Sequence, residues 1–350
     1  MVKKKTVLIT GGSGFLGTNL VNYLYKKGYK LKVIDLVMPL NYNDMKYKAK
    51  YVWSDIRKIK NLNRIFTGVD YIVHAAAALP LYSARDIYST EIMGTENILR
   101  VAHRQKIKKF IYISSTAVYG IPDSTPLYEH HKLKGVGSYG KAKIKAEKIC
   151  DKYRKKGMCV TILRPKTFMG PGRLGIMAIY SDWIRRGKNI PLIGNGNNHY
   201  QLLDVEDLCV AIELCLKKAE DKVNDTFNIG AKEFLTMRED FGYVVYHAGF
   251  KKKIIPLPKF PVISLLKILD FLKLSPLYQW IYETAVKDSV VSIEKAEKIL
   301  GFKPMYSNKD TLLRTYIWYV KNLDKFENKY GVTHSTLWRQ GVLKIVSWFF

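Results

Sequence analysis

Acid is what this chain is short of. Against 58 lysines and arginines stand only 30 aspartates and glutamates, a formal charge of +28 over 350 residues. That exceeds what a soluble domain of this size needs for solubility. Lysines spread over solvated helix faces are one account, and an anionic partner is the other. Nucleic acid is excluded as that partner, because no recognised nucleic-acid-binding motif and no basic stretch interleaved with stacking aromatics is present. Cysteine is scarce too. Cys150, Cys159, Cys209 and Cys215 form neither a CxxC pair nor a metal-ligand spacing, which argues against a zinc site and fits reduced thiols in the cytosol. Met1-Val2-Lys3-Lys4-Lys5 runs straight into an apolar strand, without room for the core of a signal peptide, so a cytoplasmic location is expected. Long hydrophobic runs are missing as well. Lys267, Asp270 and Lys273 break the stretch Val262–Leu274, and Arg339 and Lys344 break the stretch from Leu337 to Phe350. Neither reaches the roughly 20 apolar residues that span a bilayer. No internal repeat or low-complexity tract is visible.

What is there reads as a well-filled α/β chain, 47% hydrophobic. Strand-like runs recur at Thr6–Thr10, Leu31–Asp35, Tyr51–Trp53, Tyr71–His74, Phe110–Ser114 and Cys159–Leu163. Helical periodicity marks Phe15–Lys27, Tyr88–Gln105 and Tyr139–Lys156. Strands alternating with helices predict a Rossmann-type, doubly wound parallel sheet. After Arg164-Pro165 the texture shifts to short units punctuated by Gly170-Pro171-Gly172, the run from Gly194 to Asn198, and Pro256-Leu257-Pro258. The expected division is a cofactor domain over 1–170 to which later segments return, a mainly substrate-binding domain over 171–330, and a basic, aromatic tail over 331–350.

The first strand passes directly into Gly11-Gly12-Ser13-Gly14-Phe15-Leu16-Gly17 and then a helix. Glycines at 11, 14 and 17 allow a tight turn, close approach to a pyrophosphate, and packing of helix on strand, while the helix N-terminus offers unpaired N–H groups. The second strand ends at Asp35, 18 residues past Gly17. A carboxylate there accepts from an adenosine ribose and repels a 2′-phosphate, so the expected cofactor is NAD rather than NADP.

Tyr139 and Lys143 lie four residues apart, hence on one helix face. A cation beside a phenol favours its phenolate, bringing the tyrosine closer to use as a general acid/base. The spacing recurs elsewhere in this Tyr- and Lys-rich chain, but only Tyr139 follows Ser115, a hydroxyl at the end of the strand Phe110–Ser114. The three suit hydride transfer at a carbinol. Ser115 would hydrogen-bond the substrate oxygen, Tyr139 would move its proton, and Lys143 would tune Tyr139.

Thr10 to Gly17, Asp35, Asp55-Ile56, His74-Ala75-Ala76, Ser114 to Gly120, Tyr139 to Lys143 and Leu163-Arg164-Pro165 together resemble, in order, the extended short-chain dehydrogenase/reductases, specifically the NAD-dependent epimerase/dehydratase family, over about the first 210 residues. The resemblance implies that the turn residues Gly11, Gly14, Phe15, Leu16 and Gly17 hold NAD, that Asp55 and Ile56 touch adenine, that Ala75 and Ala76 line the cofactor, and that Lys143 also holds the nicotinamide ribose. Where family dehydratases carry an acidic pair after the strand-end hydroxyl, this chain has Thr116 and Ala117, and family decarboxylases use a carboxylate at the position of Ala117. Dehydration and decarboxylation are therefore disfavoured. Reversible oxidation of a secondary alcohol remains.

On the substrate side, two residues that contact a nucleotide diphosphate in family sugar epimerases, an Asn and an Arg, are replaced by Thr167 and Tyr200. Lys166, Arg173 or His199 would have to take their place. Glu91 stands where the family has an Asn, so backbone bracing there is expected to differ. Three features have ordinary readings: His74 as a core histidine bonded to backbone, Asp204, Glu206 and Asp207 as a helix start rather than a metal site, and Tyr278, Trp280 and Tyr282 as packing. The tail is long enough to lie in a membrane interface with Trp338 and Trp348 near headgroup level, attracted to anionic lipid, or to pack on the fold or between two copies of a homodimer. The leading expectation is an NAD-dependent epimerase working on an activated sugar through a keto intermediate. The rivals are a membrane-associated sterol- or lipid-type alcohol dehydrogenase and an NAD-sensing scaffold without turnover.

Overall fold

The computed structural model describes residues 4–58, 62–249, 251–271, 279–326, 331 and 333–338. Its centre is a sheet of seven parallel strands: β1 (Thr6–Thr10), β2 (Lys30–Asp35), β3 (Lys50–Trp53), β4 (Tyr71–His74), β5 (Lys109–Ile113), β6 (Val160–Pro165) and β7 (Thr226–Ile229), in the order β3-β2-β1-β4-β5-β6-β7. This is the doubly wound, Rossmann-type arrangement. The order reverses between β1 and β4, whose last residues Thr10 and His74 are paired, and a doubly wound sheet binds its ligand in the crevice that such a reversal opens at the carboxyl ends. β5 and β6 end beside it in register, Ile113 opposite Leu163. Gly11, Ala75, Ser115 and Lys166 all leave the sheet at this edge.

Both faces of the sheet are covered, which is why its strands read as nearly unbroken apolar runs. Helices Phe15–Lys26 and Val205–Lys217 bury Leu20, Val21, Leu24, Leu208 and Ile212 against one face. Helices Thr95–Arg104 and Gly137–Arg154 bury Ile98, Val101, Ala146 and Cys150 against the other. The stretch expected as one helix from Tyr88 to Gln105 is instead Ala84–Tyr88, a wide π turn over Ser89–Gly94, and Thr95–Arg104. At the end of the π turn Gly94 lies so close to Ile56 that a Cβ would come within 2.6 Å of its Cδ1. A π turn shifts the register of the side chains by the width of one residue, and here Glu91 is fully buried.

Beyond β6 the chain builds a smaller layer. Phe168–Met169 pairs with Leu203–Asp204, and Ile190–Ile193 pairs with Ile254–Leu257. Helices Ile176–Arg185, Met237–His247 and Asn308–Lys321 enclose a separate apolar cluster. Trp338 belongs to that cluster and is buried. It is held by its indole N–H donating to the Thr333 carbonyl at 3.0 Å, while Leu174 N–H donates to His334 O at 2.8 Å and Gly175 N–H to Thr336 O at 3.0 Å. Gly175, at φ +64°, leaves room for the indole, since a Cβ there would sit 3.0 Å from it. The expectation that Trp338 sits at headgroup level is thus corrected: an indole with its apolar face in a core and its N–H bonded has nothing left for a bilayer. Trp348 and the rest of the tail, like Tyr278 and the side chain of Trp280, lie outside the described residues, whereas Tyr282 is buried in the fold. Helix Lys259–Phe271 leaves Phe260, Leu265, Ile268 and Phe271 exposed. Among the described residues no helix is long and apolar enough to cross a membrane.

Candidate active site

The glycine turn is shaped by contacts that only glycine tolerates. Gly11 adopts φ +71° and lies against Ala76, with a hypothetical Cβ 2.7 Å from that residue's backbone; at Gly17 a Cβ would strike the Gly11 carbonyl and Gly12. Gly14 differs. It caps the helix Phe15–Lys26, and a Cβ there would meet only Gly11 O, at 3.4 Å. No side chain caps this helix and no acid occupies its first turn, so its N–H groups and positive dipole end remain for an anion. Phe15 and Leu16 are buried; they anchor the helix rather than offering side chains to a ligand. Asp35 accepts Ser13 N–H at 2.9 Å on one oxygen and Leu36 N–H at 2.7 Å on the other, while desolvation pushes its carboxyl up against those bonds. It stays half-exposed beside the turn. The residues present therefore fit a dinucleotide.

The adenine side holds a surprise. Asp55 is engaged by Arg57 through two-pronged contacts of 2.8 and 3.0 Å, which hold its carboxyl below its ordinary value. Ile56 turns its side chain into the core against Gly94, so no side chain is left there for a ligand. Asn97 donates to the carbonyls of Ile56 and Arg57 at 3.1 and 3.0 Å and fixes this loop. His74 is a core histidine as expected, but its partners are not backbone. Thr10 Oγ1, which accepts Ala76 N–H at 3.2 Å, lies 2.6 Å from Nδ1, and Thr95 Oγ1 lies 3.0 Å from Nε2. In the neutral ring one of these nitrogens donates and the other accepts. Burial, aided by the Lys143 charge, pulls His74 down to about 3, so the ring is neutral and holds Thr10, Ala76 and the helix Thr95–Arg104 in place.

Ser115, Tyr139, Lys166, Thr167, Arg173 and His334 line one cavity at the sheet edge. Ser115 Oγ accepts Ala117 N–H at 3.1 Å, and its hydroxyl faces the Tyr139 phenol. Lys143 Nζ lies 5.7 Å from the Tyr139 ring centre, donates to Ile113 O at 2.9 Å, and pairs with Glu91 at 3.0 Å. Tyr112 also donates to Glu91, at 3.3 Å. Lys143 and Glu91 are both buried. Sequence reasoning expected an ammonium free to draw the phenol down. Instead burial pushes Tyr139 well up and the Glu91 carboxylate adds to that, while Ser115 and Arg173 oppose. Burial likewise pushes the Glu91 carboxyl up, against Lys143. The position where an Asn was expected thus carries the counter-charge of the buried Lys143.

Arg164 completes the frame. It grips Glu147 of the helix Gly137–Arg154 at 3.0 and 2.6 Å, and its other nitrogen donates to Tyr119 Oη and Glu129 O, both at 2.9 Å. Ser114 donates to the same Glu147 at 2.6 Å. A buried, fully bonded ion pair fixes geometry even where its net stabilisation is small; this one ties β5, β6 and the helix of Tyr139 and Lys143 into one piece. The Arg-Pro pair was legible in sequence, but its partner Glu147 was not.

The substrate-side expectations divide. Lys166, Thr167 and Arg173 line the cavity; Thr116 is buried behind it, with Ser114, Ser115 and Ala117 on the wall instead. Tyr200 is not on the wall either. Its hydroxyl lies 3.2 Å from Thr167 Oγ1 and its ring lies under Lys166. His199 is half-exposed, its backbone N–H donating to Asp288 at 2.7 Å. Asp204 caps its helix through Glu206 N–H, and Asp207 accepts the N–H groups of Met305 and Tyr306; among the described residues no cluster fit for a metal occurs. His334, which sequence reasoning passed over, reaches the cavity from the C-terminal segment.

A glycine turn at one strand end and a serine, tyrosine and lysine grouped beside it define the class as the short-chain dehydrogenase/reductases of the extended kind. Within that class the chain belongs to the NAD dependent epimerase/dehydratase family, whose sequence profile matches residues 7–230. It is 34% identical over 344 residues, covering 98% of this chain and 85% of the relative, to an uncharacterised protein of Sinorhizobium fredii. It is 27% identical to a putative UDP-glucose 4-epimerase of Methanocaldococcus jannaschii, covering 90% and 99% of the two chains. Among solved structures, UDP-glucose 4-epimerase of Thermotoga maritima, with UDP-glucose, superposes with a TM-score of 0.76 at 25% identity over 91% and 99% of the chains. Relatives include dehydratases and a decarboxylase as well as epimerases. The protein is an enzyme of an NAD-dependent family, and NAD is its cofactor.

Proposed function

We propose that this enzyme is an epimerase that inverts a secondary alcohol of a nucleotide sugar through a transient ketone. One observation supports the choice among the family's reactions: Ser115 is followed by Thr116, buried behind the wall, and by Ala117 on it, with no carboxylate among the cavity-lining residues to expel water or assist loss of CO2. Bound NAD supplies a hydride acceptor and donor. Gly11, Gly14, Gly17 and Asp35 would hold it, with the backbone at Ile56, Ala75 and Ala76 alongside. Lys143 has three N–H donors, of which Glu91 and Ile113 O take two; the third is left for the ribose. Ser115 orients the substrate hydroxyl and Tyr139 accepts its proton, then returns it after the ketone has presented its other face. The apolar wall of Leu79, Pro80, Ile87, Val136 and Phe168 supports the second reading, a lipid-alcohol dehydrogenase; the buried Lys166 on the same wall weighs against it.

Two measurements test the reading. Freshly purified protein, denatured without added nucleotide, should release about one NAD per chain, as expected of an enzyme that recycles its cofactor, and should interconvert a pair of epimeric UDP-sugars. Empty protein that reduces added NAD with a lipid alcohol would replace this reading with the second one. Tyr139→Phe should lower turnover by about a thousandfold or more while NAD content is unchanged, and full activity in that variant would remove Tyr139 from the mechanism.

A further inference from the structure

Lys166 is out of place by ordinary rules. It follows the last residue of β6, and its N–H donates to Ile229 O at the end of β7 at 2.8 Å. Its side chain is 1% exposed. A buried ammonium is expected to meet a carboxylate, and among the described residues none lies within ion-pair distance. Nζ donates to Ser289 Oγ at 2.6 Å and stands 4.8 Å over the Tyr200 ring. The other titratable or charged groups on the same cavity are Tyr82, Tyr139, Arg173 and His334; no Asp or Glu lines it. Beside Lys166, Thr167 Oγ1 and the Tyr200 hydroxyl face each other at 3.2 Å.

We propose that Lys166 is the anion-binding residue of the substrate subsite, the ligand itself bringing the missing counter-charge as a phosphate or carboxylate oxygen. This rests on the nucleotide-sugar reading above, which supplies two candidate sources: the diphosphate that every nucleotide sugar carries, and the carboxylate of a uronic sugar. Arg173, over the rings of Phe15 and Phe168 at 5.4 and 6.0 Å, adds positive potential to the same wall. Burial pulls Lys166 down to about 7 from 10.5. An arriving anion restores the ammonium, so binding takes up a proton. The uptake should approach one proton between about pH 8 and 9, vanish below about pH 6, and fall away again above the ordinary lysine range.

The test is calorimetric titration of NAD-loaded protein with UDP-glucose and UDP-glucuronate in buffers of different ionisation enthalpy, comparing the native chain with Lys166→Met. The variant should bind about thirtyfold more weakly or worse, without proton uptake, and should melt at a higher temperature, because an unpaired buried charge is replaced by an apolar chain of similar volume. A Lys166 that only braced the loop through Ser289 would melt lower on removal and leave affinity unchanged, and that result overturns the proposal. Equal loss for both ligands assigns the diphosphate as the source; loss for UDP-glucuronate alone assigns the carboxylate. Should neither sugar bind the native protein, the nucleotide-sugar reading fails by itself. The subsite is then judged by inorganic sulfate, whose stabilisation of the native chain must be lost in Lys166→Met for the proposal to stand; equal stabilisation overturns it.

Discussion

At residue scale the role proposed for Lys143 is best understood through Glu91. An acid in contact with Lys143 cancels part of the charge that would otherwise stabilise a Tyr139 phenolate, and Tyr112, which also bonds Glu91, is itself pushed up by burial and by the same carboxylate. Removing the negative charge therefore makes Tyr139 more acidic. Glu91→Gln should move the acidic limb of the kcat profile to lower pH by about one unit, with KM little changed. A limb that stays in place alongside a lower melting temperature would make Glu91 a packing residue only. Glu91 was visible in the sequence as a departure from an expected Asn, but its contact with Lys143 was not, because the π turn that buries it leaves no periodicity signal of its own.

At the scale of elements the sequence was most legible where one period ran unbroken. All six predicted strands of the sheet recur within a residue or two of their expected ends, since strands covered on both faces are apolar throughout. β7, Thr226–Ile229, was not foreseen as a strand, because the pairing that brings it to β6 is set by tertiary contact. In the C-terminal segment, of the two readings left open, packing on the fold holds for Trp338. Arg339 and Lys344 suggested an interfacial helix, yet the residues just before them lie along Leu174 and Gly175 and put Trp338 into the core. Trp338→Ala should cost about 3 kcal/mol of unfolding free energy, read as a lower denaturant midpoint. A chain ending at Gly331 should keep its NAD, because the cofactor contacts lie elsewhere, while its affinity for the substrate drops with the wall that carries His334.

At the scale of the whole molecule the proposed function gives the charge of +28 a testable role. A cationic body around a cavity lined by Lys166 and Arg173 attracts an anionic substrate from a distance, and salt screens that attraction. If the substrate is a nucleotide sugar, kcat/KM should fall severalfold as ionic strength rises from about 0.02 to 0.2 M with kcat nearly constant. A flat response would return the excess lysines to the role of solvated helix faces. The sequence showed the charge and the catalytic set but could not join them, since Lys166 and His334 are far apart in the chain and meet only in the folded wall.

That wall also has a history in time. During synthesis the last strand of the sheet, ending at Ile229, leaves the ribosome roughly a hundred residues before Thr333 to Trp338, and domains begin to fold as they emerge. The nascent sheet can take its dinucleotide while the far side of the substrate chamber is still unmade. If it does so, a chain stalled late in translation should already carry NAD beside an open chamber.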